Sequence, residues 1–152
     1  MSRIGDLGPD LINLPNVIAE YEDALQQART ILPIENKMLE FAHKEQCAWI
    51  GYFDERRAEI KTLVKYLAAN VAKVRGQLVR RYTERSARAL GERVMNSYID
   101  SEPEYLAAHE LLLEVEELYE KYTAVVEAFN KRGFALRDIT SARVADVHHN
   151  PI

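Results

Sequence analysis

Ile60, Val64, Leu67, Val71, Val74 and Leu78 are spaced 4, 3, 4, 3 and 4 residues apart. That is the a/d rhythm of a helix packing on a helix, and its β-branched content suits such a seam. A second stripe, Tyr105, Ala108, Leu112, Val115, Tyr119, Tyr122, Val126 and Phe129, recurs at 3, 4, 3, 4, 3, 4 and 3. Before the first seam, Met38, Phe41, Trp49 and Phe53 supply larger apolar groups at looser helical spacing. Ile18, Tyr21, Leu25 and Ala28 mark an earlier helix. The pattern predicts an all-α chain whose long antiparallel helices form a hairpin or bundle with coiled-coil-like seams.

Punctuation sets the expected boundaries. Residues 1–15 hold Gly5, Gly8, Pro9 and Pro15 and are expected to form an irregular arm. Asn13 is placed to cap a helix with Pro15 in its first turn, and Pro33 to end it. No proline then occurs until Pro103. An unbroken helix from Ile34 to Tyr82 would be about 70 Å long at ~1.5 Å per residue. The expectation is therefore a bend near Gly51 or Gly76, or cover from neighbouring subunits. Ser101-Glu102-Pro103-Glu104 reads as a capping box, with Ser101 as cap and Glu104 reaching back. Gly133 reads as a left-handed stop behind Lys131 and Arg132. The expected division is a long-helix oligomerising domain over 16–133, a short helix over 134–147 and a loose tail over 148–152. Both stripes are assigned to oligomerisation, since tyrosine buries its ring while its hydroxyl stays wet.

At 152 residues the chain fits one domain. Cys47 is the single cysteine, so no internal disulfide can form. No apolar run approaches the ~20 residues that cross a bilayer, and the start of the chain does not read as a signal peptide. The expectation is a soluble protein of a reducing, cytoplasmic compartment. No glycine-rich phosphate loop, H-E-x-x-H or nucleophile elbow occurs, and the expectation is a non-enzyme without cofactor or metal. His43 and Cys47, four apart, read as a surface histidine beside a filler cysteine. His109 has no nucleophile set against it.

Charge changes this picture more than composition does. The net charge of −4 conceals two opposed blocks. Between Lys65 and Arg93 eight basic residues face two acids, Glu84 and Glu92, a balance of +6. From Asp100 to Glu127 nine acids face Lys121, a balance of −8. Lys73, Arg75, Arg80, Arg81, Arg85 and Arg88 form a broad cationic stripe if helical. Its arginines could clamp phosphates while Tyr82 stacks on a base. Contacts of that kind bind a polyanion without sequence preference and weaken with salt. The same polarity could dock the acidic helix of a neighbouring subunit, and the residues alone leave both uses open.

Lys131-Arg132-Gly133-Phe134 followed by Leu136-Arg137-Asp138-Ile139 resembles the C-terminal signature of the UvsY family of phage recombination mediators. Val94-Met95-Asn96-Ser97-Tyr98-Ile99-Asp100 looks like the short segment before that family's last long helix. Leu32-Pro33 with Lys37-Met38-Leu39 looks like its proline and Lys-aromatic-Leu element. The resemblance spans residues 20 to 144 in order, and its specific part is Arg132-Gly133-Phe134. It implies a ring-like homo-oligomer that binds single-stranded DNA and loads a RecA-like recombinase onto strands covered by single-strand DNA-binding protein, in replication and repair. By position it implies DNA contacts at Lys73, Arg75, Arg80, Arg81, Arg85 and Arg88. The rival expectation is a structural coiled-coil adaptor of a virion or assembly.

Overall fold

The computed structural model describes residues 13–149 apart from Asn36 and Ala87, with His148 and His149 described by their backbone alone. Most of the expected irregular arm, and the end of the expected tail, lie outside the described residues. Among the described residues four helices follow in order: α1 (Leu14–Ile31), α2 (Leu39–Arg85), α3 (Glu92–Asp100) and α4 (Pro103–His149). No strand occurs among the described residues. The chain divides into two compact units, Met1–Glu59 with Leu118–Ile152, and Ile60–Glu117.

In the first unit α1, the start of α2 and the end of α4 enclose one core. Gln46 meets Phe129, Glu45 meets Arg132 and His43 meets Thr140, so α2 and α4 run antiparallel. Tyr122 meets Tyr21 and Arg132 meets Leu32, so α1 runs parallel to α4. Val17, Ile18, Tyr21, Ala24 and Ala28 of α1 are buried, as are Phe53 of α2 and Leu118, Tyr122, Val126, Phe129 and Leu136 of α4. Phe53 and Phe129 stack at 5.2 Å, and Tyr21 meets Tyr122 edge-on at 5.9 Å. The Tyr122 hydroxyl donates to the Tyr21 carbonyl at 2.8 Å. In the second unit Ile60, Leu63, Leu67 and Leu78 of α2, Ile99 of α3 and Val115 of α4 form a smaller core.

Both stripes are thus largely internal to the chain. Ile60, Leu67, Leu78, Val115, Tyr122, Val126 and Phe129 are each no more than 5% exposed, which removes them as subunit contacts. Val64, Val71, Val74, Leu112 and Tyr119 are half-buried. For these seven buried positions the assignment to oligomerisation is corrected accordingly. A chain that folds its own helices together buries the same a/d positions an oligomer would use.

Several boundaries also differ from expectation. α2 stays helical through Gly51 and Gly76, where an added Cβ would meet nothing within 4 Å. α4 passes through Gly133 and continues to His149, so no separate short helix exists. The reason is burial. Leu136 is fully buried and Ile139 and Thr140 half-buried, which outweighs the ~1 kcal/mol that glycine costs inside a helix. Ser101 does not cap α4. It closes α3, its hydroxyl donating to the Tyr98 carbonyl at 2.8 Å, and Glu104 turns instead to Arg81. Asn13 stands at the start of α1, but its side chain accepts from Asn16 and no backbone amide.

Candidate nucleic-acid interface

The cationic stripe lies wholly in the second unit, on the last turns of α2 and the connection to α3. Side-chain pairing splits it in two. Arg75, Arg81 and Tyr82 point to neighbouring elements. Arg75 donates to Asn96 at 2.8 Å and Asp100 at 3.2 Å, with its guanidinium 5.7 Å from the Tyr105 ring. Arg81 makes a two-pronged bond to Glu104 at 3.1 and 3.3 Å, which also holds its proton more tightly than usual. The Tyr82 hydroxyl donates to Glu102, and that bond is the main reason its pKa is raised.

Lys73, Arg80, Arg85 and Arg88 are exposed instead. Arg80 reaches Glu84 only at 3.9 Å, with 81% of its side chain open to solvent. The other three form no ion pair among the described residues, and exposed Lys65 and Arg93 flank them. Of the seven residues proposed from sequence to hold DNA, four therefore face water and three brace α3 and the start of α4. Opposite charges 20 or more residues apart in sequence found each other inside one chain, an outcome periodicity does not encode.

One aromatic escaped the sequence reading. Tyr98 of α3 stacks on Tyr82 with ring centroids 5.7 Å apart and planes 21° apart, yet remains 48% exposed. Its sequence signals were its place in the quoted Val94–Asp100 segment and its position one turn after Val94, which is also exposed.

The Arg132-Gly133-Phe134 signature lies in the other unit and does structural work. Arg132 occupies a core position of α4 between Phe129 and Leu136 and is 4% exposed. It donates to the Leu32 carbonyl at 3.1 Å, the Ala42 carbonyl at 3.5 Å, the Gln46 amide oxygen, and Glu45 at 2.8 Å. Lys37 joins the same carboxylate at 3.1 Å and donates to the Ile31 carbonyl at 2.9 Å. Two cations therefore satisfy the orphan carbonyls at the end of α1, where the helix dipole is negative. Burial alone would raise the Glu45 pKa, but hydrogen bonds from Lys37, Trp49 and Arg132 together bring it below the usual value. Gly133 makes room for Gln46: an added Cβ would stand 3.1 Å from Gln46 Nε2. Phe134 is 58% exposed, with the Arg137 guanidinium 4.6 Å from its ring centre.

His43 bonds Thr140 at 2.9 Å, Cys47 is exposed, and His109 stacks on Tyr105. Among the described residues no three His, Cys, Asp or Glu side chains are grouped to hold a metal ion. No described helix is long and apolar enough to cross a membrane.

No protein-family model matches the chain, and no curated protein matches its sequence. The crystal structure of the recombination mediator protein UvsY of bacteriophage T4 superposes with a TM-score of 0.72. The match covers 83% of this chain and 98% of that one, at 16% identity. The fold is UvsY-like. Within it, the Lys37 and Arg132-Gly133 pieces quoted from the sequence converge on one buried cluster at the end of α1. In this chain those pieces hold helices together, so their part of the resemblance carries no information about DNA.

Proposed function

We propose that the protein is a non-enzymatic recombination mediator. It binds single-stranded DNA through phosphate contacts at Lys73, Arg80, Arg85 and Arg88 and promotes loading of a RecA-like recombinase onto strands covered by single-strand DNA-binding protein. The observation that carries this reading is the UvsY-like fold, and the exposed cations of the second unit support it. Arg75, Arg81 and Tyr82 serve as braces behind that surface. Homo-oligomerisation remains part of the proposal, because several weak phosphate contacts gain avidity when repeated across subunits. Its surface would include Leu106 and Leu113, seven residues apart on α4 and 44% and 51% exposed.

Fluorescence anisotropy of a labelled single strand at low and moderate salt tests the reading. Binding should fall steeply with salt, and each cation removed from the Arg80, Arg85 and Arg88 group should flatten the log–log slope by about 0.7. No binding at low salt, or no response to replacing all three with alanine, would refute it. A second reading, a structural adaptor without DNA binding, is favoured by exposed Glu110, Glu114 and Glu116 of α4, which offer carboxylates to the cations of a neighbouring subunit. It predicts that size-exclusion behaviour changes with salt while DNA has no effect.

A further inference from the structure

We infer that the outer face of Tyr98 is a base-stacking subsite for single-stranded nucleic acid, with Tyr82 as the residue that positions it. The inference rests on the single-strand-binding reading above and names a contact of a different kind. Tyr98 is 48% exposed although its ring is already stacked, so one face lies on Tyr82 and the other is open. A ring half-open on a nine-residue helix would ordinarily swing among rotamers. Here the Tyr82 ring supports it, and Tyr82 is itself tethered by its hydroxyl to Glu102. The open ring is held ready, which reduces the ordering cost of a base arriving on it.

The surroundings select the ligand. Arg85 lies three residues beyond Tyr82 on α2, hence on the same face one turn along. It is exposed and has no ion pair among the described residues, and Arg88 and Arg93 follow before and within α3. On the other side, Glu102 is close enough to Arg81 for its charge to be felt there, and Arg81 is bonded to Glu104. Arg81 thus offsets acidic charge that would otherwise repel a phosphate. An aromatic face beside free cations is the combination that binds unpaired bases on a tracked backbone. An apolar partner would not require the cations, and duplex DNA would not offer the base face.

The test compares the full chain on a labelled oligothymidylate and on an abasic sugar–phosphate strand of equal length. Tyr98→Ala should weaken oligothymidylate binding at least about fivefold. It should leave abasic-strand binding and the salt slope unchanged, because a stacked ring releases no counterion. Tyr98→Trp should retain affinity, and its added emission, measured against the wild type with Trp49 alone, should be quenched by oligothymidylate but not by the abasic strand. Should Tyr98→Ala fail to fold, the Tyr98→Trp quenching decides. Normal oligothymidylate binding by Tyr98→Ala, equal losses on both strands, or no selective quenching would each overturn the stacking subsite and leave single-strand binding standing. If the wild type binds neither strand at low salt, the parent reading falls as well.

Discussion

Replacing Arg132 with alanine should destabilise the first unit by about 3 kcal/mol. The side chain is 2% exposed and serves four acceptors on two stretches of chain, the end of α1 and the start of α2. Truncating one partner of a buried ion pair costs ~3–5 kcal/mol when the other charge is stranded. Glu45 is not stranded, since Lys37 remains at 3.1 Å and the carboxylate is 17% exposed. The loss therefore comes mainly from the Leu32 carbonyl and the Gln46 amide oxygen, at ~1–3 kcal/mol for each buried acceptor left unmet. The 3.5 Å bond to Ala42 adds little. Arg132→Lys should recover part of this, because one ammonium restores charge but cannot span acceptors that the planar guanidinium fork reaches. Urea unfolding followed by the fluorescence of Trp49, the single tryptophan and a member of this unit, reads the effect. With m near 2 kcal/mol/M, the midpoint should fall by about 1.5 M. A change below about 0.5 kcal/mol, or a Lys variant as unstable as the Ala variant, would refute the reasoning.

Other consequences are checked more briefly. The Glu45 pKa lies below the ordinary 4.5, so its stabilisation is complete above that value and is lost as pH falls through the folded-state value. Urea midpoints measured down through the acid range should drop less in Glu45→Gln than in the wild type. Gly133→Ala pushes a methyl to 3.1 Å from Gln46 Nε2 and should cost about 1–2 kcal/mol by thermal or urea melting, in spite of alanine's better helix propensity. Burial raises the pKa of Tyr21 and Tyr122, and a hydrogen bond to Glu59 adds to the shift at Tyr21. Both should stay protonated in an ultraviolet titration above pH 10, and their stabilisation, complete below the ordinary value of 10.0, should erode as pH rises beyond it. Arg81→Ala should reduce single-strand affinity less than Arg85→Ala in the anisotropy assay, because Arg81 already answers Glu104.

Helix type, the break after α1 and the segregation of charge followed from local rules, because apolar spacing, proline and like-charged runs act over a few residues. Ile60, Leu67, Val115, Tyr122 and Phe129 were visible as buried positions for the same reason. What covers them was not, since an a/d stripe buries equally well against its own chain or another. Gly133 shows the opposite limit: its local signal was a helix stop, and burial of Leu136 beyond it overrode that signal. The candidate interface was half legible. Sequence grouped Lys73, Arg80, Arg85 and Arg88 with Arg75 and Arg81, and only tertiary structure separated open cations from those facing Asp100 and Glu104. It alone set Tyr98 on Tyr82 and drew Lys37, Glu45 and Arg132 to one point. Coulomb attraction and ring stacking act across space at a few ångströms, and partners 8, 16 or 87 residues apart meet only after the helices have packed.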